Sequence, residues 1–331
     1  MKKTIAISIA VILLLISLAV IKYKFDVKSD KYKLSNKEIQ LLNGESAYKA
    51  LEKLDIKNTL FVKLYIRFNK DKIKIEKGTY TFNGNYSLIK ILNSLSNGEE
   101  GVIKVTIPEG FTAKQIKKRL AEKNVISEEE FDKAVKEIND FYYYYPEGNL
   151  DGYLFPDTYE FYKNESGKSV VNKFLKRFLE KFPPEQYKDK EFFYKKLILA
   201  SVIEKEAGNK SEMNLVASVF ENRLNKEMKL QSCATVAYLF NYEKDYIYYK
   251  DLQIDSPYNT YKYKGLPPAP ISNPGEASIK ASFNPANTEY FYFVLGNNGK
   301  HHFSKTYKEH MDVQNKEKRG VEYDGKIRVN R

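Results

Sequence analysis

Hydrophobic and polar positions along this chain fall into distinct regimes, and the first is a run without polar punctuation. From Thr4 to Ile21 every position is uncharged and most are apolar, with Lys2 and Lys3 before the run and Lys22 after it. At about 1.5 Å per helical residue, such a run just crosses a bilayer core of roughly 30 Å. A charged start followed by an apolar run is also the layout of a secretory signal. No small-x-small cleavage site or lipidation cysteine follows near Leu18–Lys24, which favours an uncleaved signal anchor over residues 4–21, with 1–3 as a short cytoplasmic tail. By simple count Lys22, Lys24, Lys28, Lys31, Lys33 and Lys37 would reverse the direction. A long C-terminal body translocates largely regardless of such charges, so the body is expected outside.

Beyond the run the periods change. Ser46–Leu54 and Thr59–Phe68 have the spacing of short helices, and Ile73–Phe82 that of a strand ending in a turn. Apolar residues at 88, 91, 92 and 95 make a helical stripe over Ser87–Ser96 that stops at Gly98. Residues 32–100 are therefore an N-terminal α+β region. Val102–Ile107 alternates as a strand, Pro108-Glu109-Gly110 turns, and Thr112 caps a helix over Thr112–Lys123, with another at Ser127–Ile138. This second small α+β module covers 101–140. The aromatic stretch Phe141–Tyr145 and the Gly- and Pro-broken stretch Asp151–Tyr159 fit either a buried turn or a saccharide-facing loop. Val170–Lys181 is helical and ends before Pro183-Pro184. The whole reads as α+β, with the chemistry in the last part of 141–331.

Composition narrows the classes. The 331 residues are 42% hydrophobic and 14% aromatic, enough for a folded body with a large core. The net charge of +12 is spread along the chain rather than gathered into an arm, which argues against a nucleic-acid tail. A diffuse basic surface suits lipid headgroups or acidic wall polymers, and a generally lysine-rich proteome explains it equally well. Cys233 is the only cysteine, so no internal disulfide or cysteine zinc site exists. His301, His302 and His310 lack matching carboxylate spacing, and no Gly-rich phosphate loop is present; neither a metal nor a cofactor is expected.

The chemistry begins on a helix over Glu191–Gly208. Leu197–Ile203 is apolar almost all round and should be buried, and Glu204 and Glu206 follow at its end. Glu204 shares a face with Leu197 and Ala200, Glu206 with Leu199 and Val202. Either carboxyl can lie against apolar surface, where burial raises its pKa as a general acid requires. Periodicity does not choose between them, and a solvated helix end explains the pattern as well. On the next helix, Glu212–Lys226, Arg223 projects from an apolar stripe of Val216, Val219 and Phe220. A buried arginine needs a partner: Glu204, Glu206 or a substrate oxygen. Gln231, Ser232, Thr235, Tyr258, Asn259, Thr260 and Tyr261 supply the neutral hydrogen-bonding groups and flat rings a saccharide cleft uses. The Pro-rich stretch from Gly265 to Gly275 is a stiff loop. Cys233 lacks an activating neighbour, which disfavours it as a nucleophile. Glu289–Leu295 is an aromatic strand, Gly296–Gly299 a turn, His301–Ser304 its mate, and Thr306–Arg319 a polar helix.

Taken in order, Gly152–Tyr159, Ala200–Glu206, Val216–Leu224, Leu230-Gln231-Ser232, Ser256–Tyr261, Gly265–Pro268, and His302-Phe303-Ser304 with Glu309-His310 resemble the endolytic murein transglycosylases of the YceG-like family. Each motif is weak alone; their order over this length is specific. The resemblance implies a single-pass protein of the bacterial plasma membrane with its catalytic domain, 141–331, outside the cell, and a LysM-like glycan-binding module at 101–140. It implies Glu204, the first acid of Glu-Lys-Glu, as the catalytic residue. Glu206, Arg223 and the polar residues above would bind substrate. Peptidoglycan strands would be the substrate, cut between N-acetylmuramic acid and N-acetylglucosamine to leave 1,6-anhydro ends, and peptidoglycan synthases would be compatible partners. Two departures stand out. Cys233-Ala234 occupies the place of a common Asp-Pro, and Ala269 that of a common glycine. A hydrolase using water and a non-catalytic wall anchor are the rival readings.

Overall fold

The computed structural model describes residues 2–97, 102–162, 165–317 and 326–328. The chain is α+β and divides into two compact units, Met1–Lys104 with Glu160–Asn164, and Val105–Tyr159 with Glu165–Arg331.

The first unit opens with α1 (Lys2–Tyr23), which continues through a wider turn at Lys24–Lys28. Among the described residues no helix is long and apolar enough to cross a membrane. The side chains of α1 are described from Val11 on, and those of Val11–Ile21 are exposed. Asp26 is fully buried and pins the exit of α1. Burial opposes its ionisation, but Lys31 (2.6 Å), Lys22 (3.2 Å) and the Thr59 hydroxyl (3.1 Å) outweigh that and hold its pKa below the usual range.

There follow β1 (Tyr32–Leu41), α2 (Ala47–Lys53), α3 (Leu60–Phe68), β2 (Gly78–Tyr86) and α4 (Leu88–Asn97). Ser46 and Thr59 cap the two middle helices by accepting from backbone N–H groups three residues on. β1 and β2 pair antiparallel from Tyr32↔Tyr86 to Leu41↔Gly78, with an irregularity between Leu34 and Lys37. Leu34, Ile39, Leu41, Leu51, Val62 and the α4 stripe Leu88, Ile91, Leu92 and Leu95 form one core. The strand expected at 73–82 lies further on, at 78–86, while Ile73 and Ile75 pack on the core ahead of it.

The second unit takes in most of 101–140 together with everything after it. Its elements are β3 (Val102–Thr106), whose first residues belong to the other unit, then α5 (Ala113–Glu122), α6 (Glu128–Lys136), β4 (Thr158–Tyr162), α7 (Gly167–Lys181), α8 (Lys190–Glu206) and α9 (Met213–Asn225). After these come α10 (Cys233–Tyr238), β5 (Tyr246–Tyr248), α11 (Glu276–Phe283), β6 (Tyr292–Leu295), β7 (His301–Ser304), α12 (Tyr307–Glu317) and β8 (Lys326–Arg328). β6 and β7 form the expected hairpin, Tyr292↔Ser304 to Leu295↔His301. Glu309 caps α12 by accepting from the Lys305 and Thr306 N–H groups.

The aromatic stretch at 141–145 and the turn at 151–155 are buried rather than saccharide-facing. Tyr143, Tyr153 and Phe155 are nearly or wholly inaccessible, and Tyr143 stacks on Phe193 of α8 with ring centres 4.2 Å apart. Gly152 adopts φ +93° where a Cβ would lie 2.8 Å from Leu197 and Pro270, so only glycine fits. α8 runs through the middle of this packing, buried all round from Leu197 to Ile203 as its sequence requires.

Candidate active site

A helix turns about 200° between positions two apart, so Glu204 and Glu206 leave α8 in nearly opposite directions. That separates the two acids that periodicity leaves equivalent. Glu206 accepts from the Ser232 hydroxyl (2.5 Å) and the Ala234 N–H (3.3 Å), and so ties the start of α10 to α8. Glu204 faces the start of α11. Its Oε2 accepts from the Gly275 N–H (2.9 Å) and the Ser278 hydroxyl (2.6 Å), while Oε1 makes no hydrogen bond among the described residues.

The Glu204 carboxyl is pushed above the usual glutamate range, and burial is the main cause. The Ser278 and Gly275 hydrogen bonds pull the other way, the charge of Glu109 adds to the rise, and Lys210 offsets it. Lys205 has its own pKa lowered by burial and lies 4.2 Å from the Tyr242 ring centre.

Glu204 sits in a cradle that three chain segments build. Ser201 on α8 donates its hydroxyl to the Ile198 carbonyl and accepts from the Ile271 N–H (3.0 Å), anchoring the Pro-rich loop. Asn273 at the end of that loop is fully buried. Its side chain accepts from the Leu154 N–H (2.9 Å) and donates to the Phe111 carbonyl (2.9 Å), and its carbonyl accepts from the Gly110 N–H (2.9 Å). The turn Pro108-Glu109-Gly110 is thereby held over Glu204: a Cβ on Gly110 would lie 3.5 Å from the Glu204 Cγ. Asp151 braces the same joint, accepting from the Ala113 N–H (2.6 Å), the Tyr238 hydroxyl (3.2 Å) and Asn273 (3.4 Å). Burial pushes its pKa up to about 6 against the pull of those donors.

The turn brings a second acid to the site. Glu109 pairs with Lys210 at 2.9 Å, and its carboxylate lies so close over Gly275 that a Cβ there would meet it. Glu109, Lys210, Gly275 and Ser278 were not among the residues expected from the sequence. Glycine at the N-cap of α11 with serine three positions into the helix was the available signal, and Pro-Glu-Gly reads only as a turn.

Other expectations need correction. Arg223 meets neither acid. Among the described residues it donates to the carbonyls of Phe291 (2.7 Å) and Leu230 (2.7 Å) and lies 5.3 Å from the Tyr292 ring centre; burial lowers its pKa. It joins α9 to β6 because backbone carbonyls satisfy a buried guanidinium without a carboxylate. Ser232, Thr235, Asn259 and Thr260 are buried and turned into the protein. Thr235 and Thr260 share a hydrogen bond (2.9 Å), Thr260 accepts from the Ser232 N–H, and Asn259 donates to the Leu252 and Ile254 carbonyls. These groups brace the loops rather than face a cleft. Gln231 is exposed in a left-handed conformation (φ 48°), and Tyr258 and Tyr261 are half-buried. Among the described residues no three His, Cys, Asp or Glu side chains converge on a metal position.

Residues 39–316 match the model of the YceG-like family. The chain is 35% identical over 281 residues to the endolytic murein transglycosylase of Bacillus subtilis (strain 168), covering 79% of this chain and 78% of the relative. It is 28% identical over 293 residues to the endolytic murein transglycosylase of Streptococcus pneumoniae serotype 2 (strain D39 / NCTC 7466), covering 77% of this chain and 53% of the relative, so it spans about half of that longer protein. The crystal structure of a YceG-like protein from Listeria monocytogenes is similar, with a TM-score of 0.57 and 31% identity over 84% of this chain and 100% of that one.

Proposed function

The chain belongs to the YceG-like family, and from that premise we propose that it is an endolytic murein transglycosylase with Glu204 as its acid and base. The observation that carries the assignment is the asymmetric setting of Glu204. One oxygen is engaged by Gly275 and Ser278, the other is available, and burial favours the protonated form.

Oε1 of the protonated acid gives its proton to the glycosidic oxygen as the bond to the muramic C1 breaks. The carboxylate so formed is held by two donors already in place, which is where preorganised hydrogen bonds lower a barrier. It then takes the proton of the muramic 6-hydroxyl as that oxygen attacks C1. Glu204 is restored, a 1,6-anhydro end is left, and no water is consumed. Glu109 favours one second reading: a carboxylate beside the acid is the arrangement in which water replaces the 6-hydroxyl, and product masses decide between them. Gln231, Tyr258 and Tyr261 are the sugar contacts we propose from the expected set.

The setting follows the same reading. Residues 4–21 within α1 would anchor the protein in the plasma membrane with the body outside, residues 101–140 would contribute glycan binding, and peptidoglycan synthases are fitting partners. The 22-residue length of α1 and the exposed apolar side chains from Val11 to Ile21 support the anchor. Protease added to spheroplasts should digest the body; protection of it would place the domain on the wrong side. For the acid itself, Glu204→Gln should abolish strand cleavage while the protein stays folded. Retained activity in that variant would remove Glu204 from the mechanism.

A further inference from the structure

Beside Glu204, on the side of Gly275 and Glu109, the second unit carries an open cleft of about 560 Å³. Its apolar lining is Phe155, Pro156 and Ala277, and ion pairs ring it. Arg177 pairs with Asp157 (2.7 Å) and Lys210 with Glu109 (2.9 Å). Lys181 (2.7 Å) and Lys280 (2.6 Å) share the single carboxylate of Glu276. Two ammonium groups on one carboxylate leave that corner with an excess positive charge. Both lysine side chains keep solvent exposure, 32% and 61%. Ion pairs this exposed are weak, so a ligand carboxylate can take over a lysine at little cost.

Small apolar surface, a cationic corner and an acid at the other end together suit a short peptide with small side chains and charges of both signs. Muramic acid carries such a peptide on its lactyl group, close to the C1 that reacts. The cleft adjoins the reacting carboxyl directly, since Glu276 follows the glycine that donates to Glu204 and Glu109 lies over that glycine. We propose that this cleft holds the peptide stem of the muramic acid residue being cut, with Lys181 and Lys280 taking a stem carboxylate. The inference rests on the function proposed above.

The test is binding by the detergent-solubilised full chain carrying Glu204→Gln, using strands with intact stems and the same strands stripped by an amidase. Stem-bearing strands should bind about fivefold tighter, the ratio that roughly 1 kcal/mol of exposed ion pairing supplies. Adding Lys181→Gln and Lys280→Gln should remove the preference and leave binding of stripped strands unchanged, which also shows that the variant is folded. Lys280→Gln alone should lower the preference in the same direction. Equal binding of the two polymers, or equal weakening of both by the lysine changes, overturns the proposal. Cleavage by the unaltered chain is followed in parallel. Stem-selective binding without cleavage would overturn the catalytic reading and uphold the cleft, and cleavage without stem preference would do the reverse.

Discussion

Replacing Ser278 by alanine tests the electrostatic setting of Glu204 without touching the acid. The hydroxyl donates to Glu204 Oε2 at 2.6 Å, and it is buried, so water does not replace it. Alanine is favourable in a helix and the change leaves no unpaired donor, so α11 should persist. A hydrogen bond to a charged group contributes about 1.5–3 kcal/mol, and about 1.4 kcal/mol corresponds to one pKa unit. The bond favours the ionised carboxyl, so its loss raises the Glu204 pKa by roughly one unit or more. Because the protonated acid starts the reaction, the alkaline limb of kcat/KM against pH should move upward by about that amount. The carboxylate that forms during bond breaking loses a donor, so the plateau rate should fall by about tenfold or more. The assay is release of soluble fragments from purified peptidoglycan between pH 4 and pH 9. A limb that stays in place or moves to lower pH would refute the reasoning, as would an unchanged plateau.

Three further outcomes follow from the same cradle. Glu109→Gln removes a negative charge that helps keep Glu204 protonated, so its alkaline limb should move to lower pH, whereas Lys210→Gln should move it to higher pH; shifts of the same sign in both would contradict the assignment. Asp151 has a folded pKa of about 6 against an ordinary 3.8, so its stabilising neutral form is fully present below about pH 4 and lost as pH rises through 6. Asp151→Asn should therefore flatten the fall in thermal stability between those pH values, a fall of about 2–3 kcal/mol, and an unchanged slope would count against it. Gly152→Ala places a Cβ 2.8 Å from Leu197 and Pro270 at a left-handed φ, so it should cost about 2–4 kcal/mol and lower Tm by several degrees; an unchanged Tm would show that the turn yields.

What could be read from the sequence, and what could not, divides along physical lines. Elements whose own side chains set their period were legible. α8 is apolar all round because it is buried all round, α4 matches its stripe at 88, 91, 92 and 95, and β6 and β7 flank the turn at 296–299. β1 was missed because its irregularity between Leu34 and Lys37, with Asn36 at φ 46°, puts Leu34 and Ile39 an odd number of residues apart while both face the core. Long-range pairing was the other blind spot. Periodicity shows that Arg223 needs a partner but cannot show that the partners are carbonyls of Leu230 and Phe291. Nor can it bring Glu109 to Glu204 across nearly a hundred residues, since that approach depends on Asn273 joining the Gly110 turn to the Pro-rich loop. The resemblance selected Glu204 over Glu206, and the opposite directions of the two side chains supply a physical reason for the choice.

The most direct test of the central claim is the mass of the ends produced. Purified peptidoglycan is digested with the full-length protein, with Glu204→Gln as control, and the new termini are weighed. The account predicts muramic ends lighter by one water, formed only by the protein that retains Glu204. Ordinary reducing ends would show that water, not the 6-hydroxyl, attacks C1, and ends formed equally by the Glu204→Gln protein would contradict the role given to this acid.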